Sequence, residues 1–396
     1  VADPATRSTL ARLAAELEQL ESRSQLRSLD HIEGVNLCSN DYLALSREPR
    51  LKAAVVEALR GEAHPGSTGS RLLSGNDPAW EALEEEFAAF TGAEAALFFS
   101  SGYAANLGLL SALLRPEDLV FSDSANHASL IDGIRLSRAR KVIFPHLDLN
   151  FLEDRLADSR RERCERFIVI ESLFSMEGDR APLAEIAALA AQYGAALIVD
   201  EAHATGVLGP QGRGLVTEAG LRDAVFASVH TCGKALASAG AFVAGSDILK
   251  RFLVNRARTF IFSTALPPYM AHQIRTALKL AQQADDRRKR LLSLADALRG
   301  RLKELGLDTG RSDSQIVPVM LGSNDSALRA AEALQRAGFA IRAIRPPTVA
   351  PGTARLRISL NAGLSETDCD RIAQALEVAI GSSQIPVLKA VAKSKS

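Results

Sequence analysis

Between residues 95 and 234 the chain repeats one pattern: a short apolar run stops at a glycine, hydroxyl or ionisable turn, and a helical stretch follows. Such runs are Ala96–Phe99, Leu119–Phe121, Phe167–Glu171, Ala195–Asp200 and Ala224–Val229, with Val142–Phe144 and Gly240–Ala244 as further strands. Continuous apolar runs suit strands buried on both faces, and their alternation with helices builds a mostly parallel sheet. Right-handed crossovers bring the carboxyl ends of such strands to one edge, where open α/β sheets hold their ligands. Five ends therefore converge: Ser101 and Gly102, His127, Glu171 and Ser175, Asp200 and His203, Thr231 and Lys234. The expected fold class is α/β, with helices flanking the sheet.

Lys234 is the first long side chain after the small turn His230-Thr231-Cys232-Gly233. A lysine is ordinarily solvated. Held at a strand end it can lose its charge, and the free amine forms Schiff bases. Asp200 ends the preceding strand, and a buried carboxylate needs a cationic partner. A protonated pyridine nitrogen is such a partner, which is what pyridoxal phosphate requires to act as an electron sink. The Ser100–Asn106 turn opens a helix whose free amides are a ready phosphate site. A histidine placed like His127 is commonly a cap or a core residue, and its strand end adds a functional reading. Gly66–Asn76, dense in glycine and hydroxyls, lets backbone approach a ligand. Asp200-Glu201-Ala202-His203 also occurs as a nucleotide-hydrolysis box, but that chemistry needs a G-x-x-x-x-G-K-[ST] loop, which this sequence lacks.

Lysine plus arginine and aspartate plus glutamate both count 47 in 396 residues, so no global charge draws the chain to nucleic acid or anionic lipid. No helix-turn-helix appendage or basic domain suggests a DNA-bound sensor. Cys38, Cys164, Cys232 and Cys369 form no C-x-x-C pair, so neither a metal site nor a disulfide framework is expected, and a reducing, cytoplasmic setting fits. The longest apolar stretch, Ala93–Leu114, is interrupted by polar residues, and no secretory signal follows Val1, so no membrane partner is expected. The length suits two domains. Residues 1–45 read as an N-terminal segment, with a helix near Pro4–Ser28 that carries Leu10, Leu13, Leu17 and Leu20 as one stripe. Residues 46–285 read as the large domain and 286–383 as a smaller α+β one, joined by a helix from about Met270 to Leu305. The charges of Asp285–Arg290 suggest that this helix is solvated where it crosses between them. The small domain is expected to hold strands Ile316–Met320, Ala340–Ile344 and Ala354–Leu360, the last with Arg355 and Arg357 on one face. A closing helix starts near Ser365, and residues 384–396, basic from Lys389, are expected to be disordered.

Asp200-Glu201-Ala202-His203 together with Thr231-Cys232-Gly233-Lys234 resembles the fold-type I pyridoxal-phosphate enzymes. Ser39–Leu43, Asn126–Ser129 and Glu171–Asp179 narrow the resemblance to the α-oxoamine synthases. The run Ile344-Arg345-Pro346-Pro347-Thr348-Val349, followed by Gly352–Arg357, is similar to the branch that joins L-alanine to a pimeloyl thioester of CoA or of a carrier protein. A related branch uses glycine and acetyl-CoA. The resemblance implies an aminotransferase-like fold, pyridoxal 5'-phosphate as cofactor, and a homodimer with shared active sites. It also implies roles. Lys234 carries the cofactor and acts as base, Asp200 pairs with the ring nitrogen, and His203 bonds the phenolic oxygen. His127 stacks on the ring. Ser101, Gly102, Tyr103 and Thr231 surround the phosphate, Ser175 lies near the cofactor oxygen, and Ser263 and Thr264 reach the partner subunit's phosphate. Arg357 clamps the amino-acid carboxylate, Asn40, Glu171 and Thr348 position substrate, and Arg27 meets the acyl donor. Two departures flank the lysine: Cys232 stands where a larger apolar residue is usual, and Ala237 where glycine is usual.

Overall fold

Runs rich in β-branched and aromatic residues become strands, and most of them join one sheet. The computed structural model describes residues 4–381 apart from 32 and 62, so the basic tail lies outside the described residues. A two-residue strand, β1 (Val35–Asn36), comes first. Seven strands then build the main sheet: β2 (Ala95–Phe99), β3 (Leu119–Asp123), β4 (Arg140–Phe144), β5 (Arg166–Glu171), β6 (Ala195–Asp200), β7 (Val225–Thr231) and β8 (Ala241–Gly245). Their order is β2-β8-β7-β6-β5-β3-β4. All neighbours are parallel except those of β8, which runs antiparallel to β2 and β7. The six other strands share one direction, so the five expected ends do lie along one edge.

Successive residues of the central strands enter opposite cores, as the pleat requires. Phe121, Ile168, Ile170 and Val199 face one core; Val120, Val169 and Ile198 face the other. Helices Gly102–Leu113, Ala128–Ser137 and Asp247–Arg256 cover the second face through residues such as Leu109, Leu130 and Leu253. Helices Pro78–Thr91 and Leu183–Tyr193 cover the first, where Phe87 stacks on Phe242 with ring centres 3.9 Å apart.

Beyond this sheet lie β9 (Ile316–Gly322), β10 (Phe339–Ala340), β11 (Ala343–Ile344) and β12 (Ala354–Ser359). An antiparallel sheet is ordered β11-β12-β9, while β10 pairs with β1. The closing helix, Glu366–Gly381, starts as expected: Ser365 Oγ accepts from the Asp368 amide (3.1 Å) and Asp368 accepts from the Ser365 amide (2.9 Å), a reciprocal cap.

Several expectations need correction. The first helix is Pro4–Ser22, not Pro4–Ser28; it ends before Ser24, whose φ of 53° is left-handed, and its leucine stripe is exposed. The single helix expected over Met270–Leu305 is two, Tyr269–Gln282 and Asp285–Glu304. Arg288 accounts for the break: its buried guanidinium donates to the last-turn carbonyls of Ala281 and Gln282 and to Asp285. Its neighbours Arg287 and Arg290 donate to the carbonyls of Leu43 (2.9 Å) and Leu364 (2.7 Å). That charge cluster stitches segments together rather than crossing a solvated gap. The strand Ala340–Ile344 splits into β10 and β11 because its halves pair with different partners. Finally, β7 runs through His230 to Thr231, two residues past the end expected at Val229.

Candidate active site

The extension of β7 places the Thr231 hydroxyl on the sheet edge. The turn after it is drawn tight by Cys232 N–H to Gly240 O and Ser238 N–H to Cys232 O, both 2.9 Å. From this turn Lys234 reaches back, and its Nζ lies 2.7 Å from His203 Nε2. Burial lowers the lysine to about 8 against the pull of Asp200 and Glu171, with the nearby Arg357 charge adding to the fall. Burial, then the Lys234 and Arg357 charges, hold His203 well below its ordinary value, so its ring is neutral. The proton order follows. Nζ–H donates to Nε2, Nδ1–H donates to the Tyr42 hydroxyl (2.7 Å), and that hydroxyl donates to Asn40 Oδ1 (3.0 Å). Arg357 closes the chain by donating to Asn40 Oδ1 (3.0 Å) and Tyr42 Oη (3.3 Å), and its Nε donates to the Ser175 carbonyl.

A second chain holds Asp200, the last residue of β6. Its Oδ1 accepts from the Ala202 amide (2.8 Å) and its Oδ2 from Asn106 Nδ2 (2.7 Å). The same Asn106 amide lies 2.9 Å from Ser129 Oγ, which is 2.8 Å from His127 Nδ1. His127 Nδ1 also accepts the Ser129 amide, capping helix Ala128–Ser137. The cap reading of His127 therefore holds, and with Nδ1 accepting, its proton resides on Nε2. Burial and the Lys234 charge lower the ring, against the pull of Asp200. Glu171 pairs in register with Asp200 across β5 and β6. Its carboxyl is raised well above the ordinary range, by burial and then by the Asp200 charge, against the pull of Lys234.

These residues fit the expected cofactor. Ser101 Oγ accepts the Ala104 amide (3.0 Å) and caps helix Gly102–Leu113, whose first amides, Gly102 and Tyr103, have no partner along the helix. A Cβ on Gly102 would meet nothing nearer than Thr231 Oγ1 at 3.7 Å, leaving an anion room beside a hydroxyl and two amides. Glu171 Oε1 and Asn106 Oδ1 are buried without a partner among the described residues. Asp200 offers the buried carboxylate that a ring nitrogen needs, and Lys234 the amine.

Other expected residues stand elsewhere. Arg27 donates to Thr348 Oγ1 (3.3 Å), so these two form their own pair at the surface. Ser263 and Thr264 line a small cavity with Ser100 and Arg71, and Thr264 pairs with Ser70. Among the described residues neither is hydrogen-bonded to the Lys234 group. The Tyr103 side chain turns aside to Asp132. Cys232 is fully buried, with its thiol pushed up by burial, as suits a core residue. Sequence reasoning passed over Tyr42, Asn106, Ser129 and His146. His146 follows the end of β4 by two residues, so the strand-end rule would have found it.

A sequence profile described as aminotransferase class I and II matches residues 32–376. The chain is 46% identical over 384 residues to an 8-amino-7-oxononanoate synthase of Anaeromyxobacter dehalogenans, covering 93% of this chain and 96% of that one. It is 45% identical over 379 residues to the enzyme of that name from Geobacter sulfurreducens, covering 92% and 96%. Among solved structures, a serine palmitoyltransferase from S. paucimobilis with PLP and myriocin bound superposes with a TM-score of 0.86 at 31% identity, covering 95% of this chain and 98% of that one. An 8-amino-7-oxononanoate synthase from Francisella tularensis gives 0.76 at 29%, covering 88% and 98%. The chain belongs to the aminotransferase class I and II family and, within it, to the 8-amino-7-oxononanoate synthases.

Proposed function

We propose that the chain condenses L-alanine with a pimeloyl thioester, of CoA or of a carrier protein, releasing CO2 and the free thiol and forming 8-amino-7-oxononanoate for biotin. Its cofactor is pyridoxal 5'-phosphate. The observation that carries the reading is the junction of Lys234, His203, Tyr42, Asn40 and Arg357 in one hydrogen-bonded chain. It links a depressed lysine to a guanidinium able to take a carboxylate.

When bound, the cofactor withdraws electrons from the amino acid's Cα. Lys234, lowered to about 8, is partly free amine at neutral pH and takes the Cα proton. Asp200, fixed by Asn106 and the Ala202 amide, stays aimed at the ring nitrogen's place. The fork of Arg357 orients the α-carboxylate. His127 Nε2–H is the donor for the thioester carbonyl, and Glu171, when protonated, is a second donor nearby. Arg27 with Thr348 receives the far, anionic end of the acyl chain. The same reading places Ser263 and Thr264 at the phosphate of a second copy, in a cytoplasmic homodimer. Division of the chain near residue 285 is supported by the helix break at Gln283–Ala284.

The test is the visible spectrum of the holoenzyme, read with L-alanine, with pimeloyl-CoA, and with glycine plus acetyl-CoA. A Lys234-dependent band that shifts with L-alanine, and thiol release only with the pimeloyl donor, are expected. Thiol release from acetyl-CoA with glycine alone would sink the substrate assignment. Cofactor that borohydride still fixes covalently to the chain in Lys234→Ala would sink the lysine's role.

A further inference from the structure

Outside the hydrogen-bonded chains of the site, one group is built from three strand ends. Asp123 closes β3, His146 follows β4, and Asp179 lies in the loop after β5. Asp123 and Asp179 are both buried. His146 stands between them, with Nδ1 2.9 Å from Asp123 Oδ1 and Nε2 3.1 Å from Asp179 Oδ2. Its ring meets Phe174 edge-on at 4.4 Å. Both nitrogens face carboxylates, so both must donate, and the ring is an imidazolium. Burial opposes that charge, but the hydrogen bonds and charges of the two aspartates prevail and lift the ring to about 10.

Each aspartate also organises its own loop. Asp123 accepts from the amides of Ala125 (2.7 Å) and Leu147 (2.9 Å), shaping the turn that delivers His127. Asp179 O accepts from the Phe174 amide (3.0 Å), closing the loop that carries Ser175. That loop in turn holds both small-sheet arginines: Ser175 O accepts from Arg357, and Met176 O and Glu177 accept from Arg355.

We propose that His146 is a positioning residue for amino-acid capture: as a charged clasp between Asp123 and Asp179, it ties the turn bearing His127 to the loop that anchors Arg357. It touches neither substrate nor cofactor. Without the imidazolium two buried carboxylates are left unneutralised, and the 172–180 loop loses its tie to β3, keeping at its base the Ser172 amide's bond to Asp200 O (2.9 Å). Arg357 is then misaimed, whereas the turn bearing His127 keeps the Ala125–Asp123 and Ser129–His127 hydrogen bonds, so the amino acid suffers more than the acyl donor. The inference rests on the assignment of Arg357 as carboxylate clamp.

The experiment is steady-state kinetics of holoenzyme carrying His146→Gln, and of His146→Gln/Asp179→Asn, which removes one charge of each sign and keeps the fold within reach if the single variant fails. Melting temperature and cofactor absorbance are read alongside. We expect KM for L-alanine to rise roughly tenfold or more, as misplacement of a positioning group costs, with KM for pimeloyl-CoA and cofactor absorbance changed less than about twofold. Arg357→Lys serves as control. If it raises the alanine KM while the folded His146 variants leave it unchanged, the clasp is overturned and the clamp stands. If Arg357→Lys leaves the alanine KM unchanged, the clamp itself fails. Equal losses for both substrates, tracking a lowered melting temperature, would reduce His146 to a structural role and overturn the proposal.

Discussion

Ala237 shows how much one side chain can hold in strain. Its φ of 46° lies in the left-handed region, where a Cβ crowds the carbonyl, and its amide donates to Lys234 O (2.9 Å). The sequence singled it out as a position where glycine is usual, and the backbone supplies the reason. Ala237→Gly should stabilise the fold by about 0.5–1 kcal/mol, net of the extra freedom of the unfolded chain, read as a higher urea midpoint at unchanged slope. Asn106 carries the opposite lesson. It joins Asp200 to Ser129, and Asn106→Ala leaves a buried carboxylate oxygen without its donor. Such a loss costs about 1–3 kcal/mol, and kcat should fall at least about tenfold while KM for pimeloyl-CoA holds. Lys234, Asp200 and His203 were legible because a strand end is a place that sequence periodicity marks. Asn106 and Tyr42 were not, since what makes them matter is a partner far along the chain.

At the scale of elements, the strands of the main sheet were read within a residue or two, whereas the split between β10 and β11 and the helix interruptions were not. A pattern of period 3.6 continues unbroken across Gln283–Ala284, and only the buried guanidinium of Arg288, which takes the freed carbonyls, ends the helix there. The loop after β6 holds a similar hidden device. Glu201 Oε1 accepts the amides of Leu215 (3.1 Å) and Val216 (3.2 Å), and a Cβ on Gly214 would fall on its Oε2. Burial raises this carboxyl from 4.5 to about 8. The folded state thus binds a proton that the unfolded chain has released, and stability falls as pH climbs from about 4.5 to about 8. Glu201→Gln keeps the acceptor and can donate to Ser172 Oγ. Its urea midpoint should match the wild type near pH 4.5 and exceed it at pH 8.5, by the equivalent of a few kcal/mol. A parallel pH dependence in both proteins would show that another group sets it.

For the whole molecule, the exposed leucines of helix Pro4–Ser22 and the bare side chains of Leu73 and Phe262 are surface that one copy leaves open. If Thr264 serves the phosphate of a second copy, mixing inactive Lys234→Ala with inactive Thr264→Ala under subunit exchange should restore activity, because each mixed dimer regains one complete site. No recovery, with exchange verified by mass, would place Thr264 outside the site. That a second set of strands follows the long helices was legible from the pattern; the joining of a residue near the start to one near the end was not, because no periodicity encodes it. That joining has a kinetic side. Asn40 and Arg357, whose hydrogen bond spans 317 positions, meet only when nearly the whole chain has left the ribosome. The strands that place Lys234 and Asp200 are finished more than a hundred residues earlier. If Arg357 is the carboxylate clamp, a nascent chain acquires the means to hold its cofactor well before it can grip an amino acid, and a prematurely ended one would bind the first yet never turn over the second.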